Sequence, residues 1–406
     1  MEKLKRLKGI SKNFYLLAFG NSTSNIGTVV FNTILAWWLI QKTGSAKAFG
    51  YVSASGIVPL VIFNVFSGVI VDRKNKKRLL IFTDLISSIV CIFVGYMVSK
   101  EIVNLPLLML ASFLLGACSS LFSPAIKAIL PQLVKKDNIL TANSINTTLN
   151  QVVGIISPII AAVFINNLSL GLSIAFYFNG VTFFISMISE CMIKYEFVEN
   201  KEKKKITFKK DINEAFKYVK DRKWLYRLLI IAAMMNFLLT SYNVLMPLYL
   251  KEVYNDNGSM YSLSLSVNAI FGILGGCYLA VSNQKFSFKN LRKNLVFASL
   301  SIVAIQLVKS KTMLFVILGI NTFYLTVFNT IFFSLMQIKI DKHMMGRVFS
   351  FISMIVLSLK PLGNLMYGIL GEYILNYVYI ISGGLMVLLS FLVITNEDEE
   401  KCKEVS

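Results

Sequence analysis

Histidine occurs once in this chain, at His343, and cysteine five times in 406 residues. A single histidine cannot build a histidine-based metal site or a nucleophile–histidine triad. Cys91, Cys118, Cys191 and Cys277 lie inside apolar runs and Cys402 in the final segment. None falls in a segment expected outside the cell, so no disulfide is expected. The GxxxxGK[ST] phosphate loop is missing, which removes an ATPase engine of that type. Neither an enzyme nor a bound cofactor or metal is expected. Charge is scarce as well: 15% of the residues are charged against 55% hydrophobic, and the mean hydropathy is +0.66. A soluble domain of this length needs a more charged surface.

What the chain does have is long apolar runs, about twelve of them, each near the ~20 residues that cross a hydrocarbon layer as a helix. The first is predicted at 15–40, the ninth at 291–308 and the last at 373–394. Backbone groups in lipid must be satisfied within the segment, and the runs neither alternate nor stop at strand length. The fold class expected is therefore all-α integral membrane, with 12 transmembrane helices. The net charge of +20 would suit nucleic acid, but its placement argues against that partner. With the N-terminus set in the cytoplasm, 34 Lys and Arg fall on cytoplasmic segments, 6 on outer loops and Lys360 within a run, accounting for all 41. That loop-by-loop alternation follows the positive-inside rule. It predicts a multi-pass protein of the cytoplasmic membrane with both termini inside. The apolar run after the basic start is too long for a cleaved signal segment, so none is expected.

The longest polar interruption, 196–223, divides six runs from six. The expected organisation is a first six-helix bundle at 1–195, a linker at 196–223, a second bundle at 224–395 and an acidic tail at 396–406. Phe208, Ile212, Phe216 and Val219 recur at helical spacing among lysines, which predicts an amphipathic helix on the inner leaflet. Short matches, such as Ser157-Pro158 with Lys360-Pro361, recur at an offset near half the chain. They suggest duplicated, pseudo-symmetric halves with a substrate site between them.

Between the second and third runs lies Gly68-Val-Ile-Val-Asp72-Arg73-Lys-Asn75-Lys-Lys77-Arg78. This spacing resembles the G-x-x-x-D-R-x-G-R/K-R/K loop of the major facilitator superfamily, with Asn75 where glycine is usual. Asparagine also tolerates the left-handed backbone of a tight turn. Asn21-Ser-Thr-Ser-Asn-Ile-Gly27, Asp84, Phe122-Ser-Pro124 through Pro131, Ala142-Asn-Ser and Gly346-Arg-Val are similar to the macrolide-efflux and siderophore-exporter branch. The resemblance implies alternating access, usually proton-coupled export of hydrophobic or amphipathic compounds. It also implies a gate made by Gly68, Asp72, Arg73, Lys77 and Arg78, with Asp72 docked at the helix start near Gly346. A helix N-terminus suits such a carboxylate.

Three titratable groups inside runs are candidates for coupling: Asp84, Glu190 and Lys360. Relatives carry an acid after the glycine matching Gly27, and this chain has Thr28. Asp84 needs a partner, with Arg73 or Arg78 the nearest in sequence. Lys360 is open to three roles: binding an anionic group, cycling between charged and neutral forms, or snorkelling. Pro361 is expected to open the helix around it. In this fold the cavity would be lined by Asn25, Thr28, Asn32, Asn146, Asn150, Asn236, Thr240, Asn243, Asn321, Tyr324 and Asn329. Such amides either bind substrate hydroxyl and ester groups or hold helices together. The leading reading is a monomeric exporter of macrolide-type drugs, with the bilayer, a small-molecule substrate and protons as partners. The alternatives are export of a siderophore or other anionic metabolite, and a non-transporting receptor on the same fold.

Overall fold

A computed structural model of the chain describes residues 11–135, 138–166, 171–195, 208–282, 287–341 and 344–393. Fourteen α-helices run through them. In chain order they are α1 (Lys12–Thr43), α2 (Ala46–Arg73), α3 (Lys76–Ser99), α4 (Leu105–Leu133), α5 (Ile139–Asn166), α6 (Gly171–Cys191) and α7 (Phe208–Asp221). There follow α8 (Lys223–Tyr254), α9 (Ser259–Val281), α10 (Phe288–Leu307), α11 (Lys311–Lys339), α12 (Met345–Ser358), α13 (Lys360–Leu370) and α14 (Val378–Ser390).

Ten segments are long and apolar enough to cross a membrane, with Phe351–Leu370, which bridges α12 and α13, counted as one. Two of the twelve predicted runs fall short. The helix at 291–308 begins at Phe288 and carries Lys289, Arg292 and Lys293 at its start. The run at 373–394 opens on turn, so α14 is only 13 residues long.

The helix ends follow local chemistry. Ser11 caps α1 by accepting from the Phe14 N–H, and its hydroxyl donates to the Leu133 carbonyl at 2.5 Å. Gly44 closes α1 in the left-handed region at φ 68°, where a Cβ would be strained. Asn75 departs from expectation. Its φ is −63°, so the backbone there is extended, and its side chain accepts from the Arg78 N–H to cap α3. Asparagine replaces glycine here as a cap and not as a left-handed turn residue.

The chain divides into two compact units. The first takes in the described residues of Met1–Gly44, Tyr51–Lys205 and Asn257–Ser266; the second those of Ser45–Gly50, Ile206–Asp256 and Val267–Ser406. Within the first unit α6 packs along both α1 and α3, α3 also meets α4, and α1 also meets α5. A buried apolar cluster including Phe14, Leu17, Leu80, Ile129, Leu133 and Ile193 closes the end of this unit near the Asn75 turn. Tyr261 stacks on Trp37 at 6.4 Å, which ties Asn257–Ser266 to this unit. In the second unit α10 packs against α11 and α14, and α8 against α12, α13 and α14. Glu372 accepts from the Ser45 hydroxyl and from the Ala46 N–H, which holds Ser45–Gly50 in this unit.

Helix α3 shows how the residues are sorted. Phe82, Ile89, Phe93 and Tyr96 are exposed, while Thr83, Asp84, Ser87 and Ser88 are buried. A helix with polar groups inside and apolar ones outside suits a lipid surround and not water.

Candidate functional site

Four asparagines join α1 to α5 in the first unit. The Asn21 amide donates to Asn146 Oδ1 at 3.3 Å. The Asn25 amide donates to Asn21 Oδ1 at 3.3 Å and to Asn150 Oδ1 at 3.4 Å. Each helix contributes residues four apart, which places both on one face. Three of the four were candidate cavity residues; Asn21 had been noted only within the Asn21–Gly27 stretch. Its spacing from Asn25 was the signal that could have found it. Asn150 is exposed and Asn25 partly so, leaving polar edges on the ladder for a ligand. Thr28 turns its hydroxyl onto its own helix, at the Ser24 carbonyl (2.9 Å), and Asn32 is exposed.

A second polar seam lies where α6 meets α1 and α3. A Cβ at Gly27 would collide with the Thr182 hydroxyl and stand 2.8 Å from Asn179 Oδ1. That close approach is why glycine is needed at this point of α1. Further along, Asp84 on α3 and Glu190 on α6 are both buried, at 2% and 0% exposure. Asp84 lies beside the Ser186 hydroxyl and within electrostatic reach of Glu190. Asp84 Oδ2 and both Glu190 carboxyl oxygens have no hydrogen-bond partner. Arg78 does not serve Asp84: it is exposed on another face of α3. The side chain of Arg73 lies outside the described residues. Lys77 donates instead to the Cys191 carbonyl at 2.8 Å, at the last residue of α6. A cation there meets the negative end of the helix dipole.

In the second unit, the helix carrying Lys360 is broken at Leu359. Pro361 has no N–H for the Leu357 carbonyl one turn earlier, and the Leu359 N–H turns to that carbonyl instead. Lys360 is half-buried at the start of α13. Thr240 and Asn321 hold helices together. Thr240 is buried, bonds the Phe237 carbonyl at 2.5 Å and presses against Gly363. Asn321 donates from α11 to Ala298 O at 2.9 Å and Ser301 Oγ at 3.1 Å on α10. Asn236 bonds the Ala232 carbonyl of its own helix. Tyr324 stacks on Phe297 at 5.0 Å. Asn243 and Asn329 are exposed. Asn268, absent from the candidates, donates to the Tyr242 hydroxyl at 2.8 Å.

The surroundings of Gly68 and Gly346 and the side chain of Asp72 also lie outside what the structure describes, so the gate expected of them stays an expectation. The amphipathic segment has a partner within its own unit. Asp341 accepts from the Tyr218 hydroxyl and from Arg222, each at 3.0 Å, and the Arg222 guanidinium covers the Tyr218 ring at 3.5 Å. Phe216 meets Phe351 of α12 edge-on at 6.2 Å. Among the described residues no group of three His, Cys, Asp or Glu is placed to hold a metal ion.

Residues 17–359 match the model of the Major Facilitator Superfamily. The chain is 25% identical over 413 aligned positions to macrolide efflux protein A of Streptococcus pyogenes, covering 97% of each. It is 22% identical to the staphyloferrin A transporter of Staphylococcus aureus (strain NCTC 8325 / PS 47), covering 88% of this chain and 87% of that one. The crystal structure of the nucleoside transporter NupG superposes with a TM-score of 0.75 at 13% identity, over 94% of this chain and 98% of that one. At that identity the likeness speaks to fold alone.

Proposed function

This chain belongs to the Major Facilitator Superfamily, and from that premise we propose that it exports hydrophobic or amphipathic compounds of the macrolide type by alternating access and proton antiport. It is a multi-pass membrane transporter and not an enzyme. The observation that carries the finer reading is the similarity to macrolide efflux protein A across 97% of both chains. The Asn21–Asn25–Asn146–Asn150 ladder supports it with neutral amides suited to ester and hydroxyl groups. In this reading α10 and α14, short as their apolar stretches are, complete twelve spans in two pseudo-symmetric halves, with both termini in the cytoplasm, and the chain works as a monomer in the cytoplasmic membrane. The reading keeps the inner gate that the resemblance implies for Gly68, Asp72, Arg73, Lys77, Arg78 and Gly346. The test is transport in inverted vesicles under an imposed pH gradient, with a panel of macrolides, dyes and siderophores. Quenching of the gradient by macrolides supports the reading; a panel in which nothing moves sinks it.

A second reading, export of an anionic siderophore-like metabolite, has one observation in its favour. Lys360 is a half-buried cation in a membrane segment, and among the described residues its ammonium is in no ion pair. Siderophores moving in place of macrolides in the same vesicles would select it.

A further inference from the structure

The cost of burying Asp84 and Glu190 together has to be met by something. Each is nine-tenths or more buried, they approach from two helices, and three of their four carboxyl oxygens have no partner. An ionised carboxylate left unpaired in an apolar interior costs several kcal/mol even after relaxation, and two neighbouring ones also repel. A cation is the usual remedy, and among the described residues neither acid is in an ion pair, with the buried Lys76 of α3 or with any other cation. From α3 the near titratable groups are Cys91 and Lys77; from α4, Cys118; from α6, Cys191. Lys77 is committed to the Cys191 carbonyl. Helix α1 presents Gly20 to the Ser186 hydroxyl. Lys127 on α4 is exposed.

Among the described residues no group of three His, Cys, Asp or Glu is placed to hold a metal ion, so a proton is the simpler counter-charge.

We propose that Asp84 and Glu190, with Ser186 between them, form the proton-binding site of this transporter. Each carboxylate takes up one proton to become a carboxylic acid, and the charge leaves the interior. Ser186 stands one turn before Glu190 on the same face of α6 and beside Asp84, and its buried hydroxyl likewise has no hydrogen-bond partner, so it is available to either acid once protonated. The site lies one residue from the end of α6, where Cys191 is exposed and Lys77 sits on its carbonyl. This places coupling on α3 and α6, apart from the position after Gly27, where Thr28 carries no acid. The proposal rests on the proton-antiport reading above and names the group that reading lacks.

Two measurements test it separately from that reading. The first is infrared difference spectroscopy of the purified protein, titrated from acid to alkaline buffer with and without sodium. A carboxylic-acid carbonyl band that titrates, shrinks in Asp84→Asn and Glu190→Gln, and is insensitive to sodium supports the site. If those two variants do not fold, Ser186→Ala, the loss of one oxygen, must shift the same band in frequency. An absent band, a band unmoved by every variant, or a titration that follows sodium overturns it. The second uses proteoliposomes with radiolabelled erythromycin. Glu190→Gln is expected to keep exchange without a gradient and to lose accumulation driven by the pH gradient. Accumulation at the wild-type level overturns the proposal. Should wild-type protein move no erythromycin, the macrolide reading fails, and the infrared result alone decides the acid pair.

Discussion

Asn25 is the branch point of the amide ladder, and Asn25→Leu is the perturbation that weighs it. The substitution keeps the branched shape and the number of heavy atoms and removes the donor of two bonds, to Asn21 Oδ1 at 3.3 Å and Asn150 Oδ1 at 3.4 Å. The bond to Asn150 is interhelical, and such bonds average ~0.6 kcal/mol in membranes and reach ~1.7 at most; the bond to Asn21 is an i,i+4 pair within α1, worth ~0.2–0.5 kcal/mol. Both distances are long for N–H···O bonds, so ordinary values apply, and the loss is about 1 kcal/mol. That is roughly a fivefold fall in the folded-to-unfolded ratio. Asn150 is exposed, so its freed oxygen finds other partners and adds little. Asn21 is 7% exposed, and its stranded acceptor puts the total at or slightly above that figure. The assay is reversible unfolding in mixed micelles of Asn25→Leu, Asn150→Leu and the double variant. The cycle should return a coupling of about 0.6 kcal/mol for the Asn25–Asn150 pair. Additivity of the two single losses would refute the ladder as a bonded unit.

Three further outcomes follow from contacts in each unit. Gly116→Ala sets a methyl against the Gly56 carbonyl, with its carbon at 3.0 Å; backbone cannot swing aside, so melting should show a loss of about 1–3 kcal/mol, outweighing alanine's helix preference of ~1. An unchanged or raised melting temperature would contradict this. Arg222→Ala and Asp341→Asn should couple by only ~0.2–1 kcal/mol, because the pair is 35% and 49% exposed. That coupling should shrink in high salt, and a salt-independent value would be at odds with an exposed pair. Lys360→Met should weaken transport of anionic compounds most. Unchanged affinity for every compound, and an unchanged pH profile, would leave Lys360 a structural residue.

Much of this molecule could be read from its residues, and the limits have physical causes. Run length and hydropathy locate helices well, since lipid admits little else. They overreached at α10 and α14, where early cations and an opening turn shorten the apolar stretch. The branch motif at Asn21–Gly27 was visible as a pattern; its reasons, an amide ladder on one side and a glycine against Thr182 and Asn179 on the other, required α5 and α6 in place. Asp84 was expected to meet Arg73 or Arg78. Spacing alone argued against Arg78: six residues apart on a helix, the two side chains point to different faces. Its neighbours Ser186 and Glu190 come from α6, and nothing local announces a contact so distant in the chain. Thr240 and Asn321 carry the same polar signal as Asn25 and Asn150. Helical period does not distinguish a side chain that faces a ligand from one that faces a neighbouring helix.

The break at Leu359 also sets how force travels through the second unit. On one side α12 is held by Phe351 against Phe216 of the amphipathic helix. On the other, α13 is seated on α8 through Gly363 and Thr240. Between them the Leu357 carbonyl has lost its normal helical bond. The two rods meet at a soft joint and do not form one stiff shaft. Under a load carried from α7 to α12, Leu359 is the expected point of yield, and Lys360 lies on the α13 side of it.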